Sequence, residues 1–251
     1  MDEMIKQLRE KDIVVLTMSH GKVNAMDIEF CAALSGQLRQ LADDTSCRAI
    51  VVAGNSRVFS AGVDLKRLVN EPLDYVDAFL PAIADLFLSA VTFPKPMISA
   101  ITGHALAGGC VLASAGDYRV ISHESRIGMP ELRVGLALPA EGIETFRFAA
   151  APSYFQRIVT SGVSFSDDAA LLACLADEVV DSEQVVKRAM ELAIQYSQIP
   201  TDVFCVTKEQ IRQPLMERIE RNRECFADRV KLLWIDPQIR DSVRSYVAER
   251  L

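Results

Sequence analysis

Four short apolar runs, rich in β-branched residues and separated by helix-period segments, limit this chain more than any other feature. They are residues 13–17 (IVVLT), Ala49–Ala53 (AIVVA), Met97–Ile101 (MISAI) and Tyr118–Ser122 (YRVIS). Each is apolar at nearly every position, which suits a strand covered on both faces. Between them, residues 28–41 are amphipathic. In 73–91 the apolar residues Leu73, Val76, Leu80, Ile83, Phe87 and Ala90 recur every three or four positions, so both segments predict helices. Strands alternating with helices imply an α/β core. From about residue 138 the pattern turns helical. Residues 144–160, 167–175, 183–197 and 201–230 read as helices, with one strand-like EVV at 178–180. The last of these mix Arg and Glu with single apolar positions (Ile211, Leu215, Ile219, Phe226, Val230), which suits packing on the core or between subunits. No Gly-, Ser- or Pro-rich linker intervenes. The chain therefore reads as an α/β core over 1–195 continuing into a helical region over 196–251, long enough to bury a sizeable core.

Charge excludes one class of partner. With 27 Lys and Arg against 34 Asp and Glu, the net charge is −7, the opposite of what general phosphate neutralisation on nucleic acid requires. The opening MDEMIKQLREKD lacks the apolar region of a secretory signal, and the most apolar stretch, 78–91, is broken by Pro81 and Asp85. Neither a leader nor a membrane span is expected. Six scattered cysteines (Cys31, Cys47, Cys110, Cys174, Cys205, Cys225), without CxxC or metal-like spacing to the three histidines, read as buried apolar residues in a reducing cytoplasm. No metal site is expected.

Two glycine-bearing turns follow strands. In the first, residues 59–66 (FSAGVDLK), the small residues Ser60, Ala61 and Gly62 allow close backbone approach, and Asp64 suits a helix start. The Val63 amide then lies near a helix N-terminus, where unpaired N–H groups favour negative charge. Taken alone, the segment reads first as a turn with an N-cap. The second, 103–110 (GHALAGGC), places Gly108 and Gly109 at the entrance of a helix running towards Ala115. It lacks the Gly-Lys-Ser/Thr ending and the GxGxxG spacing of nucleotide loops. His104 reads as a structural histidine satisfied by nearby backbone. Two turns offering one amide each are what an oxyanion hole needs, a donor there being worth roughly 2.7–4 kcal/mol.

With these turns in view, the sequence resembles the enoyl-CoA hydratase/isomerase (crotonase) family along nearly its whole length. The matching pieces are KVNAMD (22–27), FSAGVDLKRL (59–68), KPMISAITGHALAGGCVLA (95–113), GDYRVIS (116–122) and GMPELRVGL (128–136). The resemblance implies a crotonase-like core of ββα units with a C-terminal helical trimerisation region, assembled as homotrimers or paired into hexamers. It also implies acyl-CoA substrates, the thioester oxygen bound by the amides of Val63 and Gly108. CoA would lie along Ser60, Ala61, Val63, Asp64, Leu65 and Lys66, with Lys66 and Arg67 as phosphate neighbours. No separate cofactor is implied, because the substrate carries the coenzyme A. No nucleic-acid or membrane partner is expected.

Carboxylates decide the chemistry within this resemblance. Family hydratases place one glutamate three residues after the second oxyanion glycine and another in a Pro-Glu pair. Here the first position is Val111 and the second is Glu131, after Pro130. Hydration needs a water held between acceptors, whereas moving a double bond needs one base and an oxyanion hole. A single glutamate in an apolar pocket, its pKa raised by desolvation, suits that proton shuttle. Pro139 also falls nine residues after Pro130, in LPAEG, a spacing that resembles the mitochondrial isomerase branch. The expected activity is Δ3,Δ2-enoyl-CoA isomerisation with Glu131 as the catalytic acid/base. Open alternatives are a hydratase or other enolate-forming enzyme on a specialised acyl-CoA, with Glu141 or Glu144 as replacement carboxylate, and a non-catalytic acyl-CoA-binding homologue. Otherwise Glu141 and Glu144 read as favouring a helix dipole.

Overall fold

The computed structural model describes residues 3–55 and 57–250. The apolar runs pair side by side in a six-stranded sheet. Its order is β1 (Ile5–Glu10), β2 (Ile13–Met18), β4 (Ala49–Ala53), β7 (Met97–Ile101), β9 (Tyr118–Ser122) and β12 (Glu178–Val180). From β2 to β12 neighbours are parallel, while β1 is antiparallel to β2. The near-continuous apolarity has a direct cause. Val14, Leu16, Ile50, Val52 and Ile101 join the larger core, and the alternate residues Ile13, Val15, Val51 and Ile98 face a second cluster with Val185, Ala189 and Leu192. Strand β1 was not expected from its charged sequence. Only Ile5 of its six residues is buried, so it is an edge strand shielded by charge and held by pairing with β2.

Helices α1 (Ile28–Asp43) and α3 (Asp74–Val91) bury Phe30, Leu34, Phe79, Ile83 and Phe87 in the larger core. Helix α9 (Val185–Ser197) covers the other face behind a short 3-10 turn over Ser182–Gln184. A second sheet, which the sequence did not announce, has the order β11 (Ser164–Phe165), β10 (Ile127–Gly128), β8 (His104–Leu106), β5 (Val58–Ser60). A ribbon of β3 (Ala25–Met26) and β6 (Gly62–Val63) lies beside it. These strands of two or three residues are too short to carry a period. Three short helices follow them: α2 (Leu65–Asn70), α4 (Gly108–Ser114) and α5 (Glu131–Val134).

The helical half departs from the expected boundaries. In place of one helix over 144–160 there are two, α6 (Ala140–Ala149) and α7 (Pro152–Ser161). Pro152 stands at the first position of α7 and pushes Ala151 to extended backbone, which ends the preceding helix. Helix α8 (Asp167–Leu172) stops short of residue 175. Helix α10 (Thr201–Ile235) runs five residues past 230 with Pro214 inside it, and α11 (Pro237–Arg250) follows. The cysteines divide. Cys31, Cys47 and Cys110 are buried and Cys205 half-buried, but Cys174 and Cys225 are exposed. Cys174 sits at φ 55 beyond the end of α8, and Cys225 lies on a solvent-facing part of α10. Among the described residues no helix is long and apolar enough to cross a membrane.

Helix α10 is pinned to the sheet by a buried charge cluster. The Asp117 carboxylate accepts the Met97 N–H (2.8 Å), Lys208 Nζ (2.6 Å) and Arg212 Nη2 (2.8 Å). Lys208 also donates to the Lys95 carbonyl (2.9 Å), and Arg212 to that of Ala115 (2.8 Å). Burial drives the Lys208 amine down to about 8, with the Asp117 charge opposing. Removing the anion strands two buried cations. Asp117→Ala should therefore cost about 3–5 kcal/mol, read as a lowered urea midpoint with an unchanged denaturant slope.

Candidate active site

Strands β4 and β7 are adjacent and parallel, so the loops that follow them leave the sheet at the same end. Pairing of β5 with β8 brings Ser60 beside Ala105. The two turns then pack backbone against backbone. A Cβ on Gly62, whose φ is +84, would lie 2.7 Å from Ala107 Cβ and 2.8 Å from the Gly108 nitrogen. One on Gly109 would collide with the Ser60 carbonyl. Ala107, at φ 53 and ψ −129, holds a strained conformation for a residue with a side chain. Its N–H donates to Gly128 O (2.9 Å) and its carbonyl accepts from Val111 (3.1 Å). That second bond is the first complete turn of α4, so the amides of Gly108, Gly109 and Cys110 have no partner within the helix.

The first turn is tied down residue by residue. Ser60 is buried; its hydroxyl donates to Asn24 O (2.7 Å) and accepts the Gly62 N–H (3.1 Å). Val63 pairs with Met26 across the ribbon, and the Asp64 N–H donates to Met26 O (3.0 Å). Asp64 caps α2 by accepting the Arg67 N–H (2.9 Å). Ala61 and Lys66 are exposed, and Val63 and Leu65 half-buried. Arg67 is half-buried and ion-paired. Its guanidinium is held by Asp27 (3.1 Å), Glu71 (3.3 Å) and Glu29, a cluster that the residue's position beside Lys66 gave no means to foresee.

Parallel pairing of β10 with β8, Gly128 opposite Leu106, carries the chain through Pro130 to Glu131 alongside α4. Glu131 opens α5, which ends one turn later at Gly135 with φ 93. Both carboxyl oxygens of Glu131 are buried without a hydrogen-bond partner among the described residues. Burial pushes the carboxyl up to about 8, opposed only weakly by the nearby N–H of its own backbone, which is not in hydrogen-bonding geometry. Its charge also reaches α4: burial, then Glu131, raises the pKa of the Cys110 thiol. Val111 is fully buried and apolar.

The other two glutamates are engaged elsewhere. Glu141 accepts from Arg223 Nε (2.7 Å). Glu144 accepts from Arg147 Nε (3.0 Å) and Asn222 Nδ2 (2.7 Å), with Arg218 at 3.4 Å. Both lie almost wholly buried. They do more than favour a helix dipole, because they clamp α6 to α10. His104 is exposed, and its Nδ1 accepts the Arg126 N–H (3.1 Å). Sequence reasoning missed Met26 and Phe87, which would lie 2.9 and 3.4 Å from a Cβ on Gly108. It also missed α11, which Arg240 ties to the Glu71 carbonyl (2.9 Å) at the end of α2. Trp234 packs on Phe79 (5.9 Å between rings) and donates to Ala137 O (2.8 Å).

A raised carboxyl pKa has a thermodynamic consequence. Between the ordinary value of 4.5 and about 8, folded Glu131 keeps its proton while the unfolded chain has lost it. Stability contributed by this residue therefore falls as pH rises through that window, by at most about 1.4 kcal/mol per unit. Glu131→Gln removes the slope. Urea melts at pH 5, 6, 7 and 8 should show the variant gaining on the wild type at each step.

Comparison with known proteins agrees in family and divides in activity. The family model for enoyl-CoA hydratase/isomerase matches residues 9–251. The human mitochondrial enoyl-CoA delta isomerase 1 is 27% identical over 95% of this chain and 80% of its own. The 2,3-dehydroadipyl-CoA hydratase of Escherichia coli K12 is 29% identical over 85% and 83%. The crystal structure of human mitochondrial delta3-delta2-enoyl-CoA isomerase superposes with a TM-score of 0.93 at 25% identity, covering 98% of each chain.

Proposed function

The chain belongs to the enoyl-CoA hydratase/isomerase family, and from that premise we propose that it is a Δ3,Δ2-enoyl-CoA isomerase with Glu131 as its one acid/base. The observation that carries the reading is that carboxyl's setting: both oxygens are buried with no hydrogen-bond partner among the described residues, and that burial pushes its pKa up to about 8. A buried carboxyl without a hydrogen-bond partner is costly. In this reading the cost is offset when the α-carbon of a thioester is presented to it. With Val111 apolar and Glu141 and Glu144 held by α10, neither glutamate is free to replace the carboxylate absent at position 111.

The chemistry follows in two proton transfers. The Glu131 carboxylate removes a C2 proton from the 3-enoyl thioester, and the C1–C4 system becomes a dienolate. The amides of Val63 and Gly108 hold its oxygen. Glu131 then returns the proton at C4, leaving the 2-enoyl thioester and the carboxylate as it began. No atom is gained or lost, and a pKa near 8 lets one group act as base and then acid near neutral pH. CoA runs past the exposed Ala61 and Lys66, while Ser60 and Asp64 shape the loop. The exposed Val203, Val206 and Ile211 on α10 support assembly of the helical region into a homotrimer.

A 3-enoyl-CoA mixed with the protein should give growing 2-enoyl-CoA absorbance. Glu131→Gln should lower turnover by about 10²–10⁴ while leaving acyl-CoA binding in place. Because the base must be ionised, kcat/KM should rise about tenfold per pH unit below 8 and level above it. Water addition to crotonyl-CoA outpacing isomerisation would replace this reading with the hydratase, and binding with no α-proton exchange in D₂O with a binding protein.

A further inference from the structure

Phe87 is packed between two elements, the start of α4 and the first turn of α6. Its Cζ would lie 3.4 Å from a Cβ on Gly108, and its Cε2 3.5 Å from one on Gly142 in α6. Leu138 Cδ2 would touch the same Gly142 point at 3.4 Å. The ring is therefore wedged between the start of α4 and the first turn of α6, and it is 1% exposed. Beyond it, a groove of about 460 Å³ runs between α3, α6 and α10, lined on its apolar side by Leu80, Ala84, Leu88, Pro139 and Ala140. On α3, Phe87 lies at the margin between the core face of Phe79, Ile83 and Ala90 and the groove face of Leu80 and Ala84. Its neighbour Leu88 and, across the gap, the α6 residues just before Gly142 already line the groove.

We infer that Phe87 sets the length of acyl chain this protein accepts, its ring closing the way from the Gly108 side of the site to the groove and restricting the substrate to short-chain acyl-CoA esters of about four to six carbons. The inference rests on the proposed reading for the place of the thioester, at the Gly108 amide. An acyl chain leaving that amide towards α6 meets the aromatic ring at once. With a smaller side chain at position 87 the chain passes along the apolar α3–α6 side of the groove, whose lining also carries Asp77, Asp85, Glu141, Arg223, Asp228 and Lys231.

Binding decides the matter without requiring turnover. Saturated acyl-CoA esters from C4 to C12 are titrated calorimetrically into the wild type, Phe87→Leu and Phe87→Ala. In the wild type the C10 ester should bind at least about tenfold more weakly than the C4 ester, the scale at which an apolar pocket discriminates by size. In the variants that ratio should fall to within about threefold, through tighter C10 binding and not weaker C4 binding. Phe87→Leu keeps the test open if Phe87→Ala does not fold, as circular dichroism will show. Equal binding of C4 and C10 by the wild type, or an unmoved ratio in folded Phe87→Leu, overturns the inference. Failure of the isomerase reading looks different: no α-proton exchange with any ester, with the chain-length order of binding intact.

Discussion

Everything at the candidate site depends on two main chains meeting with no side chain between them. The turn after β4 and the turn after β7 touch at Gly62 with Gly108 and at Gly109 with Ser60. Neither contact tolerates a Cβ without movement of backbone, which is stiff. The approach is possible because the parent strands are neighbours in a parallel sheet, so both connections exit on one side at a fixed spacing. Ala107 carries the strain of the arrangement in its positive φ, held there by bonds through both its N–H and its carbonyl. A strained junction with unspent amides next to it is the kind of local misfit that folded proteins keep where something binds.

The parts of this architecture legible in the sequence are those whose physics is local. The strands at Ala49–Ala53, Met97–Ile101 and Tyr118–Ser122 announce themselves because two-sided burial demands continuous apolarity. Helix α3 does so because its buried stripe has the helical period. What was not legible depends on partners distant in sequence. IKQLRE becomes β1 only because β2 offers it an edge. The two-residue strands β3 and β6 exist only as each other's complement. The break before Pro152 was local and could have been found, since proline both lacks a donor and constrains the residue before it.

The same division runs through the site. Gly62, Gly108, Gly109 and Asp64 stand out from sequence because small residues and a cap are needed at turns whatever the ligand. The fates of Glu131, Glu141 and Glu144 do not. All three are glutamates at or near the start of short helices, and all three are buried. Sequence position places Glu131 and Glu141 in a first helical turn, where the dipole favours both, and Glu144 just beyond one. The tertiary fold separates them, by running α10 past α6 with Arg218, Asn222 and Arg223 facing two of the three and, among the described residues, no hydrogen-bond partner for the third.

That separation also says which kind of polar burial belongs to structure and which to chemistry. The Asp117 cluster, with its lysine, arginine and backbone partners, is satisfied on every side; such groups hold elements in register and gain nothing by meeting a ligand. Glu131 is the reverse case. Both its carboxyl oxygens are buried without a hydrogen-bond partner among the described residues, so the ionised carboxyl is less stable in the resting fold than it would be in water. A chain can afford one such group when a bound molecule supplies what the fold withholds. Under the proposed function that molecule is an acyl thioester, whose α-carbon gives up a proton to a desolvated carboxylate. Under the proposed isomerase function, the dryness that raises the carboxyl's pKa also disfavours water addition to the double bond.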